Sequence, residues 1–181
     1  MKFLALIAFA ITCLAACATR PSVPRQTASA FVVERDLVGQ RVARGEFRAV
    51  TGLRRGFTAR LNGTWDGQTL TLVEDFEFDD GERDRKTWRL TQVAPGRYVG
   101  SREDVVGEAQ GFQDGDVFRL EYDLRLPSGR VVRFRDVMAR AENGDILNNA
   151  NVGLWGLRVA TVRLVIGQAE AALRPEAVAA E

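Results

Sequence analysis

The stretch Asp116–Leu126, "DVFRLEYDLRL", decides the fold. Phe118, Leu120, Tyr122, Leu124 and Leu126 alternate with Arg119, Glu121, Asp123 and Arg125. A period of two puts the apolar set on one face of an extended chain and the charged set on the other, which is the pattern of a strand with one side on a core and one in water. No helix can sort these residues, because its period is 3.6.

The same alternation recurs on both sides. In "FTARLNGTW", Phe57, Ala59, Leu61, Gly63 and Trp65 share a face, and "TLTLVEDFEF", "RVVRFRDVMAR" and "LRVATVRLVI" repeat the theme. Between the runs stand Asp66-Gly67, Asp80-Gly81, Pro95-Gly96, Asp114-Gly115, Ser128-Gly129 and Asn143-Gly144, pairs suited to tight hairpins. Strands joined in series by hairpins form an antiparallel up-and-down meander, and closure removes its exposed edges. The expectation is therefore an all-β fold: a β-barrel of about eight to ten strands, lipocalin-like in general shape. A short N-terminal helix capped by Ser29 fits "ASAFVVERDLVGQ"; "GQAEAALRPEAVAAE" reads as a helix or a frayed end.

The N-terminus sets a compartment. "MKFLALIAFAITCLAAC" has one cation at Lys2, an apolar run and then small residues, the layout of a secretory signal peptide too short to span a bilayer stably. Leu14-Ala15-Ala16-Cys17 resembles the lipobox of bacterial lipoproteins. That resemblance implies cleavage between Ala16 and Cys17, lipid on the Cys17 sulfur, and loss of Cys13 with the signal. An ordinary cleaved signal with an incidental Cys17 is the alternative. Ala18 in place of Asp implies, by the same resemblance, an outer-membrane lipoprotein facing the periplasm. Two or more acyl chains give lasting attachment. The domain boundaries expected are 1–16 for the signal, 17–29 for the lipidated cysteine and an unstructured tether, 30–167 for the barrel and 168–181 for the tail.

Composition removes several classes of function. Without Lys2 the 25 basic residues become 24, against 24 acidic ones, so the mature chain is formally neutral and offers no electrostatic reason to bind nucleic acid. There is no histidine, and both cysteines precede the domain, which excludes His-dependent triads and the usual zinc and haem sites. Neither a cofactor nor a metal is expected, and no catalytic motif is recognisable. The acid run "EDFEFDDGERD" invites a calcium reading, but alternation spreads its carboxylates over both faces and gathers only Asp79, Asp80 and Glu82 at a turn.

Two carboxylates break the pattern in a more informative way. Glu74 shares the apolar face of Leu70, Leu72, Phe76 and Phe78, and Asp136 that of Val132, Phe134 and Met138. A carboxylate inside a barrel needs a partner or water, and Arg102, Lys86, Arg133 and Arg135 are the cations nearby in sequence. A structural ion pair, a ligand-orienting group in an apolar pocket and a two-carboxylate hydrolase all use such residues. The pocket candidates are Glu74, Asp136, Phe76, Phe78, Trp88, Tyr122 and Phe134. The aromatic residues serve equally as core filling.

The runs "GTWDGQTLTLVEDFEFDDGE", "TWRL", "EDVVGEAQG", "RFRDVMA" and "LNNANVGLWGLRVATVRLVI" resemble a bacterial lipoprotein family, domain of unknown function 3833, over about Phe31 to Ile166. The resemblance implies a periplasm-facing lipoprotein without an assigned reaction. The favoured role is a membrane-tethered barrel that binds a fatty-acyl or other apolar molecule. The alternatives are a filled barrel that binds a protein partner, and a histidine-free hydrolase using Glu74 and Asp136.

Overall fold

The computed structural model describes residues 20–24 and 29–169. The signal, Cys17 and the tail beyond Ala169 lie outside the described residues. Ten strands follow one another: β1 (Gly39–Ala49), β2 (Arg54–Trp65), β3 (Thr69–Phe78), β4 (Arg83–Ala94), β5 (Arg97–Ser101), β6 (Val105–Asp114), β7 (Val117–Arg125), β8 (Val131–Arg140), β9 (Ile146–Leu154) and β10 (Leu157–Gln168). Each pairs antiparallel with its neighbours in sequence, and β1 pairs with β10 from Arg41↔Gln168 to Ala49↔Ala160, closing the barrel. Closure leaves no edge strand to aggregate. The upper end of the expected strand count is the observed one.

Five of the six quoted turn pairs fall between consecutive strands, and the sixth, Asp114-Gly115, begins on the last residue of β6. The three remaining hairpins lack that signal. One of them turns at Trp155, the only described non-glycine residue with positive φ (52°).

The inward faces are those read from the alternation. Ala59, Leu61, Leu70, Leu72, Phe118, Leu120, Tyr122 and Val132 are all buried in one cluster, and each large apolar side chain withdrawn from water contributes about 1.5–3 kcal/mol.

The helix differs from expectation. It is a single turn, α1 (Val33–Asp36), whose N-cap is Val32 and not Ser29. Here Asp36 reaches back to accept the Val32 N–H at 2.7 Å, satisfying the N-cap donor from one position beyond that of a capping box. Asp36 also holds Arg35 and, from β8, Arg140 (3.1 Å). Burial works against its charge, but these arginines and the Val32 N–H bring its pKa below the usual value.

This segment stops one end of the barrel. Phe31, Val33 and Leu37 are 0–3% exposed. The Phe31 N–H donates to the Asp116 carbonyl (3.0 Å), and Gln113 Nε2 donates to the Phe31 carbonyl (2.9 Å). The Tyr98 hydroxyl donates to Glu34 (2.7 Å). Gly63 of β2 lets the chain pass, since a Cβ there would collide with the Leu37 carbonyl. Among the described residues, nothing comparable covers the other end, which is ringed by the β1–β2, β3–β4, β5–β6, β7–β8 and β9–β10 turns.

Part of the segment expected to be an unstructured tether is docked. Pro21 and Pro24 are buried, and Asn149 on β9 donates to the Ser22 carbonyl at 3.0 Å.

Candidate functional site

Inside the barrel is a cavity of about 210 Å³, running from Leu37 at the stopped end to Phe57 and Phe76 near the open rim. Its walls are mostly apolar, with small side chains at Ala43, Ala59 and Ala150 leaving the space. Five polar side chains enter it: Glu74 from β3, Arg102 from the β5–β6 turn, Tyr122 from β7, Asp136 from β8 and Asn148 from β9.

Arg102 organises the cluster. Its Nε and Nη2 donate to the Asp104 carboxylate at 2.7 and 3.3 Å. Its Nη1 faces Glu74 Oε2 at 3.6 Å, an ion pair too long for a hydrogen bond. The guanidinium lies 4.8 Å from the Trp88 ring and 5.8 Å from that of Tyr122, close enough for cation–π attraction. Trp88 meets Tyr122 edge-on at 5.0 Å, and Tyr122 stacks on Phe134 at 5.1 Å. These contacts fix the tyrosine so that its hydroxyl points to Asp136 Oδ2, at 3.4 Å.

The cluster is short of partners. Glu74 Oε2, Asp136 Oδ1 and Asn148 Oδ1 are buried and accept no hydrogen bond. Burial pushes Glu74 up to about 7 against the pull of Arg102. Burial likewise lifts Asp136 to about 7, while Arg102, Tyr122 and Asn148 oppose it. Burial and the adjacent Asp136 raise Tyr122 well above its ordinary value, so it stays a neutral donor. Arg102 is opposed by burial but held above its ordinary pKa by the groups around it and stays charged. Near neutral pH the two carboxyls can therefore each hold or release a proton.

Of the pocket candidates, Glu74, Asp136, Phe76, Trp88, Tyr122 and Phe134 all line this cavity. Phe78 does not: β3 carries it past the cavity to the rim, where Arg55 lies 3.8 Å over its ring. Among the neighbouring cations the structure selects Arg102. Lys86 pairs with Asp84 (2.9 Å), Arg133 with Asp123 (2.8 Å) and Arg135 with Glu121 (3.6 Å). The acidic turn considered for calcium holds an arginine, since Asp80 and Glu82 both bind Arg55. No group of side chains able to hold a metal ion occurs among the described residues.

Asp104 and Asn148 were not anticipated. Asn148 was within reach of the same reasoning, because period two along Ile146, Asn148, Ala150, Val152 places an amide on an apolar face. Asp104 follows no periodic run and carries no such signal.

Residues 11–168 match the family model described as protein of unknown function (DUF3833). No curated protein matches the chain. Two solved structures are similar in fold. The S-type phycobiliprotein lyase CPES from Guillardia theta is 8% identical, with a TM-score of 0.57 over 75% of this chain and 90% of that one. Rv2717c from M. tuberculosis is 17% identical, with a TM-score of 0.57 over 74% of this chain and 93% of that one.

Proposed function

We propose that this chain, which belongs to the DUF3833 family, is a lipid-anchored periplasmic module that takes a fatty-acyl or other apolar chain into its barrel. One observation carries the reading: an apolar cavity, stopped at one end, with a single polar cluster whose buried acceptors receive no hydrogen bond. Structural cores leave few such groups unsatisfied, whereas ligand sites combine apolar walls with a few placed polar groups. At about 210 Å³ the space is smaller than the roughly 300–1,000 Å³ of sites for drug-sized ligands. The ligand that fits is a short apolar chain, or the end of a longer one leaving by the open rim.

The anchor at Cys17 and an outer-membrane location are parts of this proposal, resting on Leu14-Ala15-Ala16-Cys17 and Ala18. A barrel with a filled interior that binds a protein partner is favoured by the Trp88, Tyr122 and Phe134 stack, which already occupies much of the inside. Native mass spectrometry of the full chain, extracted gently from its host, separates the two. A retained small apolar adduct supports ligand binding, and repeated spectra of the bare lipidated chain support the filled barrel.

A further inference from the structure

We infer that the ligand of this cavity bears a hydrogen-bond-donating head, an amine or a hydroxyl, and not a free carboxylate. The inference rests on the binding role proposed above and adds the chemistry of the head. Three carboxylates, Glu74, Asp104 and Asp136, approach one guanidinium, Arg102. That guanidinium is already engaged: two of its nitrogens serve Asp104 and the third faces Glu74. Lys86, at the edge, is held by Asp84. No cation inside is left over for an anionic head.

With Glu74 and Asp136 ionised, the unused capacity inside the cavity is all on the accepting side. Glu74 Oε2 and Asp136 Oδ1 lie buried without a donor, and Asp136 is only 6% exposed. Buried acceptors without donors are costly, and a head carrying N–H or O–H groups relieves both. A carboxylate head would add a fourth negative charge where burial already strains two.

Calorimetric titration of the full chain with octylamine, octanol and octanoic acid, above neutral pH, holds the tail constant and varies the head. Hydrogen bonds to charged groups discriminate by more than about tenfold, so octylamine is expected to bind at least about tenfold tighter than octanoic acid, with octanol between them. Glu74→Gln and Asp136→Asn should each erode the octylamine advantage and leave octanol little changed. Octanoic acid binding as tightly as octylamine would overturn the head-group inference while leaving the cavity a binding site. If none of the three binds, the binding role itself fails.

A separate observation, at the open rim, carries a second inference. Val50, Leu53, Trp155 and Leu157 are 69, 63, 88 and 66% exposed. They lie in or next to the β1–β2 and β9–β10 turns, which sit side by side because the Val50 N–H donates to the Val159 carbonyl at 2.9 Å. Exposed Arg54 and Arg158 flank them. Aromatic and aliphatic side chains beside arginines suit the boundary between acyl chains and anionic headgroups. Arg20 lies in the same surface depression as Arg158.

The geometry points to this corner of the rim resting on a phospholipid bilayer, with the mouth of the barrel toward the lipid. In vesicles of phosphatidylethanolamine and phosphatidylglycerol with brominated acyl chains, the reconstituted full chain should lose part of its tryptophan emission, and Trp155→Phe should abolish most of that loss. Equal quenching in both proteins, or none in either, would overturn the orientation and leave the patch to a protein partner.

Discussion

Replacing Asp136 with asparagine isolates the cost of a buried charge. The residue is 6% exposed, one oxygen accepts from the Tyr122 hydroxyl at 3.4 Å, the other accepts no hydrogen bond, and the Asn148 side chain beside it favours the charged form. Its pKa is lifted from 3.8 to about 7. Between about pH 4 and about pH 7 the folded protein therefore keeps a proton that the unfolded chain has released. Stability rises with pH only where the unfolded state binds more protons, and here the folded state does. The favourable contribution is complete below about pH 4 and is lost as the pH climbs to about 7. At about 1.36 kcal/mol per tenfold change in proton affinity, the loss is roughly 3–5 kcal/mol. Asparagine keeps the acceptor for Tyr122 and never ionises. The variant should thus be more stable than the parent above neutrality by roughly that amount, with the gap closing toward about pH 4. Urea unfolding followed by tryptophan emission across this range gives the difference directly. A variant that is less stable at high pH, or a gap that does not change with pH, would refute the reasoning.

Arg102→Met removes the cation facing Glu74 and Asp104; a loss of roughly 3–5 kcal/mol in urea unfolding is expected at neutral pH. Gly63→Ala should lower stability by roughly 1–3 kcal/mol, because its Cβ meets the Leu37 carbonyl. Gly153→Ala, with no atom nearer than 3.7 Å, should be nearly neutral in the same urea unfolding measurement. Cys17→Ser should abolish incorporation of labelled palmitate in the host and release the protein from the membrane fraction.

The barrel was legible because its signal is local. In β7, a residue's side of the sheet follows from its parity alone, and Phe118, Leu120, Tyr122 and Leu124 all point inward as read. Glu74 and Asp136 stood out by the same parity, as carboxylates on faces otherwise apolar. Which cation would meet them was not legible. Arg102 sits in a turn after the five-residue β5, with too little chain for alternation to show, and its approach to Glu74 depends on how the closed sheet curves. Phe78 shows the limit from the other side: parity places it on the inner face, but parity does not say where along the barrel the cavity ends. The start of the helix differs from the sequence expectation for a related reason. Ser29 is a good cap by type, yet α1 starts three residues later, where Phe31 and Val33 can be buried under the barrel end; tertiary burial outweighed a local preference.

A crystal structure of the full chain purified from its host, resolved well enough to distinguish a ligand from water, addresses the cavity itself. Continuous density along Leu72, Phe134 and Leu164, with its polar end within hydrogen-bonding distance of Glu74 or Asp136, is the expected result. A collapsed cavity filled by its own side chains, or ordered water alone between Glu74, Asp136 and Asn148, would contradict it.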